Sequence, residues 1–214
     1  MTKAASSVIA RPTATPGNGA TIALDGDGVL VDYRKAFPVV WRRAFGGDLP
    51  LNRPDAYHAT TAYGITWESA AQEAHFYSHF DEEAWSTMPA FDGVAQACDI
   101  LVAADYRLVC VTSMNPRFAS ARQLNFDSLG LPVERVIAVR RGEAANPKLP
   151  ALRMLQAVAL VDDLVDNFEG VDHSVHTAFV DYGRFDSPHL SKAGATPDST
   201  HGSLLQFAEY WTGR

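Results

Sequence analysis

The stretch Thr21-Ile22-Ala23-Leu24-Asp25-Gly26-Asp27-Gly28-Val29-Leu30-Val31-Asp32 decides how this chain is read. Thr21 to Leu24 is a short apolar run, the pattern of a strand buried on both faces, and Asp-Gly-Asp-Gly after it is turn chemistry. Two carboxylates at i and i+2 leave the same side of an extended chain, and glycine permits a tight turn there. Such a pair can hold a divalent cation and divide the work of nucleophile and proton donor. A plain solvated Asp-Gly turn is the rival reading, and the apolar Val29-Leu30-Val31 that follows argues against it. An EF-hand loop would need an oxygen ligand at Val29 and a glycine at Leu30, so that alternative fails.

Further strand-like runs lie at Arg107 to Thr112, Val136 to Val139, Ala157 to Asp162 and Thr177 to Val180. Between them, Val94 to Ala104, Pro116 to Leu129 and Lys148 to Leu155 carry helical spacing. Buried strands alternating with helices predict an α/β fold, a Rossmann-like parallel sheet of about five strands with helices on both faces. Residues 33 to 86 break this alternation: they offer no convincing strand, yet hold 11 of the 22 aromatic residues. Phe37, Trp41 and Phe45 recur at i, i+4, i+8, and Phe76, Tyr77 and Phe80 mark another helix, so this segment reads as a small helical cap inserted after the first strand. The expected organisation is a loose leader over 1–20, an α/β core made of 21–32 and 87–214, and the cap over 33–86.

Composition narrows the class. The chain has 214 residues, 47% of them hydrophobic, and a net charge of −7, a globular profile that disfavours a nonspecific grip on nucleic-acid phosphates. No apolar run approaches the roughly 18 to 20 residues of a bilayer-spanning helix, and the two cysteines, Cys98 and Cys110, form neither a disulfide framework nor a zinc-like cluster. The expectation is a cytoplasmic protein with neither a membrane nor a nucleic-acid polymer as partner, its oligomeric state left open.

In an open α/β sheet, residues just past several strand ends converge on one crevice. Besides Asp25 and Asp27, three such places stand out. Thr112, Ser113 and Asn115 lie at a strand end before Pro116; a hydroxyl there can bind a phosphoryl oxygen, but taken alone Asn115-Pro116 reads first as a helix N-cap. Lys148 lies in a proline-flanked loop, where a lone lysine is usually only solvated. Asp162 and Asp163 end a strand, where adjacent carboxylates repel unless a cation or a lysine neutralises them, so the pair is either exposed or holds a metal.

Taken in order, Asp25-x-Asp27-Gly28-Val29-Leu30-x-Asp32, a strand ending in Thr112, then Lys148, then a strand ending in Asp162-Asp163, the sequence resembles the haloacid dehalogenase-like superfamily of phosphohydrolases, over roughly Thr21 to Val180. The resemblance implies a phosphatase acting on a small phosphate monoester, with Asp25 as the nucleophile that forms an aspartyl-phosphate and Asp27 as the acid and base. Thr112, with Ser113 as its alternative and Asn115 beside it, would bind the phosphoryl group, and Lys148 would balance charge. Mg2+ would be held by Asp25, the main-chain carbonyl of Asp27 and Asp163, with Asp162 a further candidate. Asp166 is either an outer ligand or a helix-start residue, and Asp32 is read as a cap of the first inserted helix. Dehalogenases of the family generally lack the second aspartate, so Asp27 favours phosphate chemistry; a phosphomutase and a catalytically idle binding domain remain the alternatives.

In length and cap position the chain looks like the family's small 5′-nucleotidases, and phosphoglycolate phosphatase-like members are also similar. Tyr57, Tyr63 and Trp67 could stack a nucleobase or build the cap's own core. Arg34, Lys35, Arg42 and Arg43 form either a steering patch or a solvated helix face. His75 and His79 share a helix face without an evident third metal ligand.

Overall fold

The computed structural model describes residues 17–140, 142, 146–188 and 195–214. Residues 1–16 of the expected leader lie outside the described residues. Six parallel strands form one sheet in the order β3-β2-β1-β4-β5-β6. They are β1 (Thr21–Leu24), β2 (Arg107–Ser113), β3 (Val133–Val139), β4 (Ala159–Asp162), β5 (His176–Val180) and β6 (Ser199–His201). β1 is central: Leu24 pairs with Cys110 of β2 on one side and Val161 of β4 on the other. The chain runs outward through β2 and β3, then returns to β4 across β1, which makes the β1/β4 junction a topological switch point. Ligand crevices open at such points, beyond the carboxyl ends of the strands.

Alternation along the strands divides the interior. Ile22, Leu24, Leu108, Cys110, Ala159 and Val161 face one side, where α5 (Val94–Ala103) and α8 (Leu204–Thr212) cover them and Phe126 of α6 (Ala119–Ser128) joins the cluster. Ala23, Val109, Val111, Leu160 and Phe179 face the other, against α7 (Leu149–Leu155) and the 3-10 turn Val165–Phe168. Helices therefore cover both faces, as the hydrophobic runs predict.

The sheet has one more strand than expected. β6 reads Ser-Thr-His, and no apolar run announces it; the pairing of Ala178, Phe179 and Val180 with Ser199, Thr200 and His201 defines it. Ser199 Oγ lies 2.8 Å from Nε2 of both His176 and His201. A hydroxyl can donate to one ring and accept from the other, which suits two neutral imidazoles at this sheet edge. β3 also starts three residues before the apolar run, in a stretch where Glu134 pairs with Arg107 of β2 at 2.6 Å.

Between β1 and α5 come α1 (Ala36–Phe45), α2 (Ala59–Tyr63), α3 (Ala70–Ser78) and α4 (Glu82–Ser86). Phe37, only 2% exposed, sits among the rings of Tyr33, Tyr63, Phe76 and Phe80. Tyr63 and Phe76 are buried in the same way, and Trp67 packs against Phe76 and Trp41. These aromatics therefore build the interior of the inserted helices, and that interior is continuous with the sheet-side cluster through Leu30, Val31 and Met88. The two connections run side by side: Asp32 N–H donates to Pro89 O at 2.9 Å and Phe91 N–H to Leu30 O at 3.3 Å. Asp32 caps the turn Tyr33–Lys35 by accepting from Arg34 N–H. No helix among the described residues is long and apolar enough to cross a membrane.

A shared interior predicts cooperative loss. Phe37→Ala removes a buried ring and is expected to cost about 3–5 kcal/mol in one urea transition followed by both tryptophan fluorescence and circular dichroism. Two separate transitions would show that the inserted helices fold as an independent unit. Burial, with His176 adding to it, pushes the His201 imidazole down to about 4 from an ordinary 6.5. A folded pKa below the unfolded one gives stability that is full above the unfolded pKa and lost as pH falls toward the folded one. His201→Asn should therefore flatten the fall in unfolding free energy between pH 6.5 and 4 relative to wild type; identical slopes would contradict a buried neutral His201.

Candidate active site

Asp25 follows β1 at the switch point, and its N–H extends the ladder by donating to Val161 O at 2.9 Å. Its side chain is nearly buried, and Oδ1 accepts from Gly26 N–H at 2.8 Å and lies 2.8 Å from Lys148 Nζ. Lys148 itself is 0% exposed. Its Nζ also donates to Asp162 Oδ2 at 2.6 Å, so one ammonium joins the end of β1 to the end of β4. Burial alone would depress its pKa, but the carboxylates of Asp162 and Asp25 override this and hold it above the ordinary lysine value. The solvated-loop reading of Lys148 is thereby excluded.

Two asparagines fix this lysine. Asn146 Oδ1 accepts from Lys148 N–H at 2.9 Å, and its Nδ2 donates to Asn167 O and Glu169 O. Asn167 Nδ2 donates to both oxygens of Asp162, at 2.9 and 3.0 Å, and Leu164 N–H donates to Asp162 Oδ1 at 3.0 Å. Both oxygens of Asp162 are therefore occupied by protein donors. Asp163 differs: Oδ2 accepts from Tyr57 OH at 3.0 Å, whereas Oδ1 is buried with no hydrogen-bond partner. Burial, then Asp25 and Asp162, raises the Asp163 carboxyl well above the ordinary carboxylate range. Asp162 is raised by burial as well, against the pull of Lys148.

Gly28 makes this approach possible. It takes a φ of +91°, and a Cβ there would sit 2.1 Å from Asp163 Oδ2, closer than any side chain tolerates. Gly26 plays a similar part on the β2 side, where an added Cβ would meet Thr112 Oγ1 at 3.0 Å. Thr112 thus borders the Asp25 turn. Ser113 points to the opposite face by strand alternation, and its Oγ is buried without a hydrogen-bond partner. Asn115 is exposed and accepts from Arg117 N–H as an N-cap, so the capping reading describes its place.

Asp27 Oδ1 accepts from Arg122 Nη2 at 2.6 Å. Arg122 comes from α6, is fully buried, and sits over Trp85 at 5.1 Å. Burial raises the Asp27 carboxyl; Arg122 opposes this and Asp25 adds to it. The sequence gives no local signal for Arg122, Asn146 or Asn167, and it offers Tyr57 only as an aromatic without the role of donor to Asp163. A cavity of about 180 Å³ opens beside these groups, lined by Asp27, Gly28, Tyr57, Asp163, Arg34 and Arg184 among others.

Asp25, Asp162 and Asp163 offer ligand oxygens within 4.8 Å of one another, and no other cluster of this kind occurs among the described residues. His75 and His79 stack edge to face without a third ligand. With Asp27 paired to Arg122, three carboxyl groups share a single ammonium, so full ionisation would leave two negative charges unmatched. One divalent cation closes that count, and hard oxygen donors are the ligands magnesium takes. The unpartnered Asp163 Oδ1 is the donor that such an ion would engage, so the residues fit the ion.

No protein-family profile matches the sequence, and none of the curated proteins compared with it aligns significantly. Solved structures do match. A haloacid dehalogenase-like family hydrolase from Streptococcus pneumoniae is 16% identical with a TM-score of 0.60, over 91% of this chain and 99% of that one. A haloacid dehalogenase-superfamily hydrolase of subfamily IA from Geobacter sulfurreducens is 15% identical with a TM-score of 0.59, over 94% and 100%. A dehalogenase solved with an intermediate complex is 12% identical with a TM-score of 0.54, over 89% and 96%. The chain therefore has the haloacid dehalogenase-like fold.

Removing the bridging ammonium tests the electrostatics directly. Lys148→Met leaves two buried carboxylates without their cation and is expected to cost about 3–5 kcal/mol at pH 7. Protonation of Asp162, which burial raises to about 6, relieves that repulsion, so the deficit in urea unfolding should shrink as pH falls to 5. An equal deficit at both pH values would mean that Lys148 acts by packing alone.

Proposed function

We propose that the protein is a magnesium-dependent phosphatase that hydrolyses a small phosphate monoester through an aspartyl-phosphate on Asp25. The observation that carries this reading is the meeting of Asp25, Asp27, Lys148 and the unpartnered Asp163 Oδ1 at one switch-point crevice. Phosphoryl transfer spreads charge over three equatorial oxygens, so positioning and cationic stabilisation do most of the catalysis. A site with a fixed nucleophile, a buried ammonium and an acid cluster short of positive charge suits that demand.

Asp25 and Asp163, with the main-chain carbonyl of Asp27, are the groups that would hold magnesium; Asp162, its oxygens engaged, anchors Lys148. When bound, the ion supplies a Lewis acid that lets an anionic carboxylate meet an anionic phosphoryl group. Asp25 attacks phosphorus while the ester P–O bond breaks, and Asp27 gives its proton to the departing oxygen. Asp27 then takes a proton from the water that attacks phosphorus, and the acyl-phosphate P–O bond breaks to release phosphate and restore the Asp25 carboxylate. Lys148 holds the Asp25 carboxylate in place from 2.8 Å, and Thr112 offers a hydroxyl beside the same turn.

Two features bear on the rival chemistries. The raised Asp27 carboxyl beside the cavity is a proton donor that cleavage of a carbon–halogen bond does not require. Tyr63 and Trp67 pack inside the inserted helices, and a cavity of about 180 Å³ favours a short ester over a nucleotide. Residues 33–86 act in this reading as a cap over the crevice, with Tyr57 reaching Asp163 from it.

Asp25→Asn should lower phosphate release from a panel of phosphorylated metabolites by at least about a thousand-fold while circular dichroism stays unchanged. Chelation should stop the wild-type reaction and magnesium restore it. Phosphate release at the wild-type rate by Asp25→Asn would remove Asp25 from the nucleophile's place, and isomerisation of a sugar phosphate without net release would favour the mutase.

A further inference from the structure

Arg34 and Arg184 line the same cavity as Asp27 and Asp163, and neither is used by the chemistry above. Arg34 is locked in place: Nη1 donates to Pro54 O at 3.1 Å and Ala56 O at 2.6 Å, while Nε lies 3.6 Å from Asp32 Oδ1, too far for a hydrogen bond. Arg184 follows β5 in the chain. It makes no hydrogen bond or salt bridge to the described residues, and its guanidinium lies over the Tyr182 ring at 4.6 Å and near Phe91 at 5.9 Å. Tyr182 and Phe91 stack on one another at 4.8 Å, so the guanidinium rests on an apolar backing with its N–H donors unclaimed by the described residues.

The loop that carries Arg184 is tied to the inserted segment without help from Arg184. Phe185 N–H donates to Asp55 O at 3.2 Å, the Asp186 carboxylate accepts from Tyr57 N–H, and Arg53 sits over the Phe185 ring at 4.4 Å. Arg184 is thus held at the cavity by a latch that leaves its charge free. Two guanidinium groups at one half-enclosed cavity repel each other: burial first, then Arg34, pulls the Arg184 pKa down. Asp32, which also lines the cavity, forms an ion pair with Arg34 and caps the following turn through Arg34 N–H, so Arg184 is the cation without an ion-pair partner among the described residues. Asp27 and Asp163, the other acids lining the cavity, are engaged by Arg122 and by Tyr57. Two half-buried guanidinium groups at one cavity, one of them with its donors open, are stabilised by a bound anion, and guanidinium forks match oxyanions in a bidentate manner.

We infer that Arg34 and Arg184 form a second anion subsite, so that the substrate is a short phosphate ester bearing a further anionic group, a carboxylate or a second phosphate, remote from the scissile bond. The inference rests on the phosphatase reading for the scissile end but has a test of its own. Binding is measured by calorimetry with magnesium present, using phosphonoacetate, methylenebisphosphonate and the neutral-tailed methylphosphonate. At least one of the two anionic-tailed probes should bind about tenfold or more tightly than methylphosphonate, and which of them does so tells carboxylate from phosphate. Arg184→Gln, and separately Arg34→Gln, should reduce that preference at least about fivefold. The same preference should appear in kcat/KM for phosphorylated hydroxy acids or bisphosphates against ethyl phosphate, chiefly through KM. Equal affinity for charged and neutral-tailed probes, or a preference untouched in both variants, would overturn the subsite. Hydrolysis of none of these esters alongside an intact binding preference would overturn the phosphatase reading and leave the subsite standing.

Discussion

The ammonium of Lys148, buried between Asp25 and Asp162, is the interaction on which the rest of the crevice depends. The carboxyl ends of β1 and β4 lie side by side, and each carries a carboxylate withdrawn from water. Such a junction is costly unless a cation stands in it and every remaining lone pair is met. Asn167 and Leu164 meet those of Asp162, and Asn146 holds the lysine's backbone in register. What is left is Asp163, one residue further on, with an oxygen that no group among the described residues satisfies. The chain neutralises one acid pair internally and leaves the next acid with an oxygen unpartnered among the described residues.

That division follows from strand geometry. Neighbouring residues at a strand end point to opposite sides, so Asp162 turns to Lys148 while Asp163 turns to Tyr57 and the cavity. Gly28 is the complementary requirement, since any side chain there would occupy the space of the Asp163 carboxylate. The inserted helices enter the same geometry through Tyr57, and their aromatic interior merges with the core beneath the sheet. Site and scaffold are therefore coupled through packing as well as charge.

Much of this was legible in the residues themselves. The apolar run before Asp25, the period of the helices and the aromatic density of 33–86 give the layers and the insertion, because burial dictates those patterns directly. The convergence of Asp25 and Asp163 is foreshadowed by their positions at strand ends, although the separate tasks of Asp162 and Asp163 are not, and Lys148 reaches Asp25 from the start of α7. β6 escaped notice because three polar residues form it, and pairing rather than hydropathy defines it. Arg122 carries no local mark either: its burial is compensated by Asp27, 95 residues earlier in the chain. The same holds for Arg184, whose place at the cavity depends on contacts between its loop and the segment around Asp55 and Tyr57.

The central claim is that the Asp25 carboxylate becomes covalently phosphorylated. Rapid acid quenching during turnover, borohydride reduction of any acyl phosphate and peptide mass spectrometry test it most directly. The account predicts homoserine at position 25 and nowhere else in the chain. Steady phosphate release with the carboxylate at position 25 unreduced, or reduction at another aspartate, would contradict it.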